Sequence, residues 1–171
     1  MADRSAIVDI VQGFREGVDE AAARAGPAVP THGKVVSVLF AGGRVGRLDL
    51  THPRSAVWLK VLHSLHEQKT PAYVEVEPRS QQITRLLQPT LQPVGEIEPL
   101  ERGGDLRVNL LRSHAIHVLR RNNPRFDELR KLLTAASKSE TPVWVTETLD
   151  SHEIIDVRPA GTRKATQPRR R

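Results

Sequence analysis

Two Pro-Arg pairs are the residues of this sequence best suited to bind an anion. Pro53-Arg54 and Pro124-Arg125 each stand at the start of a segment with helical periodicity. A first-turn proline is tolerated because its missing N–H has no partner within the helix. The free N–H groups of that turn and the helix dipole attract anions, and a guanidinium binds phosphate through two hydrogen bonds. The pattern predicts two related phosphate-binding places.

Four more arginines lie close to these two in sequence. Arg120 and Arg121 precede the second helix, and Arg44 and Arg47 lie in a predicted hairpin before the first. The same residues also fit ordinary helix starts, in which each arginine pairs with a nearby acid such as Asp49 or Asp127. The sequence leaves both interpretations open.

The end of the chain carries a second group of basic residues. The chain has 26 Lys+Arg and 20 Asp+Glu, for a formal charge of +6. Five of the basic residues lie in the last stretch: Arg163, Lys164, Arg169, Arg170 and Arg171. A flexible basic tail neutralises phosphates without sequence preference, although it is equally typical of an end that only aids solubility. The remaining chain is nearly neutral.

The spacing of the histidines does not predict a metal site, and the absence of known catalytic motifs gives no indication of an enzyme. His63 and His66 share a face of a predicted helix, whereas His114 and His117 point to opposite sides of a predicted strand. Zinc usually needs three or four converging ligands. The chain has no cysteine, and we find no nucleophile elbow, P-loop, dinucleotide fingerprint or HExxH motif. We therefore predict no metal, no cofactor and no catalytic residues.

The elements that must position these residues follow from the apolar spacing. Apolar residues from Ile7 to Val18 recur at helical spacing, which predicts an amphipathic helix over 5–25 that ends at Gly26-Pro27. Two strand-like runs, 35–40 and 44–50, flank a Gly-Gly turn. A helix is predicted over 55–69, and its buried residues are Val57, Trp58, Val61, Leu62 and Leu65. Two further strands, over 72–78 and 82–87, complete a β-β-α-β-β unit.

A shift of 71 residues lays this unit over a second one. Gly33–Leu86 matches Gly104–Val157 without a gap, so that HPR at 52–54 meets NPR at 123–125 and TPAYV at 70–74 meets TPVWV at 141–145. Identities at both turns and core positions favour an internal duplication.

These observations predict an α+β fold built by tandem duplication and packed as one pseudo-symmetric body. The predicted parts are an N-terminal amphipathic helix (1–26), repeat unit 1 (33–87), a Pro-rich connection with a possible extra strand at 94–100 (88–103), repeat unit 2 (104–158) and a disordered basic tail (159–171).

The predicted function is binding without catalysis. Our first hypothesis is weak, non-specific association with nucleic acid through the tail and the arginines at the helix entrances. The alternative is a protein-interaction or assembly component, a homo-oligomeric adaptor that uses the N-terminal helix or a sheet edge. No apolar run is long enough for a membrane span, and a bacterial, cytoplasmic protein is expected.

Overall fold

The chain forms two compact units built mainly from antiparallel strands. A computed structural model describes residues 5–17, 35–100 and 103–160. The units comprise Met1–Pro89 and Thr90–Arg171. Of the described residues, 47% are in strands and 22% in helices.

Unit 1 is a five-stranded sheet that curls until its two edge strands meet. Its elements are β1 (Ser5–Gly17), β2 (Val35–Phe40), β3 (Val45–Asp49), α1 (Pro53–Gln68), β4 (Pro71–Val76) and β5 (Ile83–Leu87). The strand order is β3-β2-β1-β4-β5. The first half of β1 pairs with β4 and its second half with β2. A parallel bridge between Arg47 and Gln82 then joins β3 to the start of β5.

Local sequence explains most of these elements. In β2, buried and half-buried residues alternate, as in a strand with one face on the core. Gly43 takes a φ of 77° in the β2–β3 turn, a conformation that favours glycine. Helix α1 begins at Pro53 and ends at Lys69, whose left-handed backbone closes the last turn.

Unit 2 has four strands, a helix and two further strands along the chain, one strand more than unit 1. They are β6 (Thr90–Gln92), β7 (Val94–Pro99), β8 (Leu106–Leu110), β9 (His117–Leu119), α2 (Phe126–Ser139), β10 (Val143–Glu147) and β11 (Ile154–Pro159). Only Pro93 separates β6, which pairs with β10, from β7, which pairs with β8. A parallel bridge between Val118 and Glu153 joins β9 to the start of β11.

Each unit has its own apolar core beneath its helix. In unit 1 the fully buried side chains include Phe40, Leu62 and Leu65, and in unit 2 they include Leu129 and Leu133. Burial of a side chain of this size contributes about 1.5–3 kcal/mol. These cores hold the helices against the sheets and so fix the position of each helix entrance.

The predicted fold class is wrong. The described chain is mostly β, with three antiparallel sheets and two helices, instead of an α+β duplication with an N-terminal helix. Residues 5–17 form β1, because their β-branched side chains suit a strand and both edges find hydrogen-bonding partners. The supposed connection 88–103 contains β6 and β7, which belong to the sheets of unit 2.

Some smaller expectations also need adjustment. Val57 was predicted to be buried, but it is 60% exposed on α1. Pro159, placed in the tail, is the last residue of β11 and pairs with Val143. The predicted helix residues 18–26 and the tail residues 161–171 lie outside the described residues. Within the described ranges, neither helix is long and apolar enough to cross a membrane.

Candidate functional site

The arginine at the entrance of α2 is held by carboxylates of its own unit. Arg125 is the N-cap residue, and its guanidinium binds both oxygens of Glu128, at 2.6 and 2.8 Å. A third hydrogen bond goes to Asp156, whose side chain is only 2% exposed. The hydrogen bonds to Glu128, followed by the charge of Asp156, raise the pKa of Arg125. Unit 2 thus supplies its own anions at this helix entrance.

The neighbouring arginines of unit 2 are paired in the same way. Arg120 binds Asp105 at 2.9 Å, and Arg121 binds Asp127 at 3.2 Å. The backbone N–H of Arg121 also donates to Asp105, and this bond, with that from Arg120, lowers the pKa of the Asp105 carboxyl. Arg121 lies over the Phe126 ring, with 4.6 Å between its guanidinium carbon and the ring centroid. These contacts connect β8, β9 and α2.

The entrance of α1 has a different environment. Arg54 is exposed, and its guanidinium carbon lies 5.6 Å from the ring centroid of Trp58. The first turn of α1 contains no acidic residue, whereas that of α2 contains Asp127 and Glu128. The two helix entrances, equivalent in sequence, therefore differ in charge.

The β3 side of unit 1 gathers exposed arginines from two chain segments. Arg44 immediately precedes β3, Arg47 lies in the middle of β3, and both are exposed. The guanidinium of Arg44 donates a hydrogen bond to the carbonyl oxygen of Ala6 at 2.8 Å. The backbone N–H of Arg47 donates to the carbonyl oxygen of Gln81 at 2.8 Å. That bond brings the β4–β5 loop, residues 77–82, against β3. Arg79 lies in this loop and is also exposed.

Arg79 was missed by the sequence reasoning because it is 32 residues from Arg47 and in no recognisable motif. We call Arg44, Arg47 and Arg79 the arginine surface. The corresponding bridge of unit 2 is made by Val118, and its β10–β11 loop, 148–153, carries Asp150. The arginine surface is therefore particular to unit 1 among the described residues. The five basic tail residues, Arg163, Lys164, Arg169, Arg170 and Arg171, lie outside the described part of the chain.

Closure of the unit 2 sheet brings together three potential metal ligands. Nδ1 of His117 in β9 is 2.5 Å from Oε2 of Glu147 at the end of β10. Nδ1 of His152, just before β11, is 3.2 Å from the other oxygen of Glu147. One ligand atom from each residue lies within 4.8 Å of the other two. No sequence motif announces this cluster, since its members are 30 and 5 residues apart.

The histidine pair considered from the sequence has other contacts. Nδ1 of His66 is 2.6 Å from the carbonyl oxygen of Val11. The ring of His63 stacks on the ring of Phe14, with 3.8 Å between the ring centroids. His114 is exposed in the β8–β9 turn, three residues from buried His117. The His63–His66 pair therefore packs α1 against β1.

We compared the chain with protein-family models, with curated proteins and with solved structures, and none of the three comparisons found a match.

Proposed function

We propose that the protein binds nucleic acid weakly and without sequence preference, and that it does so without catalysis. The arginine surface of unit 1 supplies the folded part of the site. Arg54 and the basic tail residues belong to the same proposal. We also propose the cytoplasmic location that was expected from the sequence, because nucleic acid is accessible there.

The connectivity of unit 1 supports this proposal. Its first strand is shared by both halves of the sheet, its helix connects the third and fourth strands, and its third strand meets the start of the fifth. Greek-key barrels of the OB type have this arrangement, and many bind oligonucleotides on the outer face of strands 2 and 3 and the adjacent loops. Since a fold alone does not define a function, the charges on that face must indicate whether it can bind an oligonucleotide.

The observation that carries the proposal is the hydrogen bond from Arg47 to Gln81. It holds the loop that bears Arg79 beside β3, the strand that bears Arg47, so that two segments near the face that such barrels use each contribute an exposed arginine. In unit 1, the described residues include eight basic and six acidic side chains, against nine and ten in unit 2. Because phosphates are attracted by local positive charge, unit 1 is the better surface for a nucleic-acid strand.

The arginines of unit 2 fit a structural role. Arg120, Arg121 and Arg125 each bind a carboxylate at short distance, and a phosphate would have to displace that partner. The arginine surface of unit 1 consists of arginines and includes no aromatic side chain. This composition favours contact with the phosphate backbone over stacking on bases.

Salt-dependent binding to a single-stranded oligonucleotide tests the proposal. The variant Arg44→Ala/Arg47→Ala/Arg79→Ala removes three cations from the arginine surface. Because each phosphate contact contributes about 0.7 to the slope of log K against log salt, we expect the slope to fall by about 2. Fluorescence anisotropy with a labelled oligonucleotide of mixed sequence measures both affinity and slope.

A matched variant, Arg107→Ala/Arg112→Ala/Lys138→Ala, removes the same charge from exposed positions of unit 2. It should leave the slope within experimental error of the unmodified chain. Equal losses in both variants would show that only net charge matters, and a complete absence of binding at low salt would refute the function. Truncation after Ala160 preserves β11 and measures the contribution of the tail.

A second function, contact with a protein partner, is favoured by exposed apolar side chains in unit 2. Leu111 and Ile116 in the β8–β9 hairpin are 62% and 58% exposed, and Leu149 in the β10–β11 loop is 85% exposed. The sequence predicted that an N-terminal helix could form the oligomer contact. Residues 5–17 instead form a strand that already pairs with β2 and β4. Sedimentation of the full chain distinguishes the two functions: an oligomer that Leu149→Ser dissociates favours assembly.

A further inference from the structure

The cluster of His117, Glu147 and His152 in unit 2 plays no part in the proposed nucleic-acid surface. We propose that these three residues bind a divalent transition-metal ion of the zinc class. The cluster combines two imidazoles and one carboxylate, a ligand set that suits zinc and its neighbours better than calcium or magnesium.

One of the two separations between ligand atoms agrees with a tetrahedral ion, and the other is too short until the pair opens. Donor atoms at a zinc–ligand distance of about 2.1 Å are about 3.4 Å apart in a tetrahedron. Nδ1 of His152 and Oε1 of Glu147 are 3.2 Å apart, which already matches. Nδ1 of His117 and Oε2 of Glu147 are 2.5 Å apart, so entry of an ion requires this pair to open by about 1 Å. A carboxylate side chain makes such a movement by rotating about its own bonds.

The burial of the three residues fits a site with one open position. His117 is 1% exposed, so its imidazole is already fixed by the core and loses little freedom on binding an ion. The side chains of Glu147 and His152 are 26% and 44% exposed. Solvent therefore reaches the cluster from one side, and a water molecule can complete the coordination of a bound ion.

Unit 1 shows that the fold does not require this cluster. It makes the corresponding strand-closing bridge, yet its residues at the three matching positions, 71 earlier, are Gly46, Val76 and Gln81. Unit 2 instead buries a polar histidine whose Nε2 has no hydrogen-bond partner among the described residues. A buried polar atom without a hydrogen-bond partner is unfavourable, so packing alone does not explain a buried histidine here, whereas a role as a metal ligand does.

Titration of the untagged full chain with Zn²⁺, followed by calorimetry, tests the site at neutral pH. We expect one ion per chain. His152→Ala removes a half-exposed ligand and Glu147→Gln removes the carboxylate charge, and each should weaken binding more than about 100-fold, since even residues behind the ligands contribute about 10–100-fold. Co²⁺ provides a second probe, because a tetrahedral site gives it intense visible absorption.

The control variants are His114→Ala and His63→Ala. The first removes an exposed histidine three residues before His117, and the second breaks the histidine pair of α1. Both should bind Zn²⁺ as the unmodified chain does. Circular dichroism confirms that each variant is folded. The proposal is overturned if the unmodified chain binds no Zn²⁺, if folded His152→Ala retains full affinity, or if His63→Ala abolishes binding.

Discussion

Replacement of Arg125 by methionine should destabilise unit 2 far more than loss of an ordinary surface arginine. Arg125 binds Asp156, whose carboxylate is almost completely buried. Methionine keeps most of the side-chain volume but leaves this charge with Arg158 alone, whose Nε is 2.9 Å from the second oxygen. Removal of one partner from a buried ion pair costs about 3–5 kcal/mol, and the remaining arginine places the loss near 3 kcal/mol.

That loss corresponds to a clear shift in thermal unfolding. For a unit of this size, 1 kcal/mol changes the midpoint by about 4–8 °C, so we expect a decrease of roughly 12–24 °C. The chain has two tryptophans, Trp58 in unit 1 and Trp144 in unit 2. In a Trp58→Phe background, tryptophan fluorescence therefore follows the unfolding of unit 2.

Arg130→Met is the matched control for this experiment. Its partner Asp127 is 3.5 Å away, and both side chains are at least half exposed, so its loss should cost less than about 1 kcal/mol. Addition of Asp156→Asn to Arg125→Met removes the buried carboxylate charge that has lost Arg125, and should recover part of the stability. Equal losses in Arg125→Met and Arg130→Met, or a double variant with the sum of both single losses, would refute the explanation.

Two further predictions concern acid stability and close packing. The hydrogen bond from the Arg121 backbone lowers the pKa of Asp105 in the folded chain, so its stabilising effect is complete above the unfolded pKa of about 4 and is lost as the pH falls below it. Urea unfolding should therefore show that Asp105→Asn destabilises the chain at neutral pH but has little effect in acid; an equal loss at both would contradict this. A Cβ atom at Gly46 would lie 2.8 Å from Cγ1 of Ile83, so Gly46→Ala should cost roughly 1–3 kcal/mol. Nothing lies within 4 Å of the same atom at Gly13, and Gly13→Ala should be the milder change by urea unfolding.

Elements defined by neighbouring residues could be predicted from the sequence. The β2–β3 hairpin follows from alternating burial on both sides of a turn that needs Gly43. Helix α1 lies close to the predicted range 55–69, since Pro53 suits a first turn and the left-handed residue Lys69 closes the last turn. In each case, the physical signal lies within a few residues of the element.

Strand β1 shows where local pattern is insufficient. Ile7, Val8, Ile10 and Val11 fit a helical spacing, but their β-branched side chains suit a strand equally well. The decision comes from β2 and β4, which hydrogen-bond to the two halves of β1. Those partners are 18 or more residues away along the chain, so no reading of segment 5–17 by itself could identify the strand.

The candidate sites divide in the same way. Residue type and position beside predicted helix starts and a hairpin identified Arg44, Arg47, Arg54, Arg120, Arg121 and Arg125 as possible anion ligands. Only the tertiary structure decided that Arg125 binds a buried carboxylate, because Asp156 reaches it from a strand 31 positions later. Residue types and short spacings were readable from the sequence, whereas the partners of each charged group were set by sheet closure, which joins residues that the chain keeps far apart.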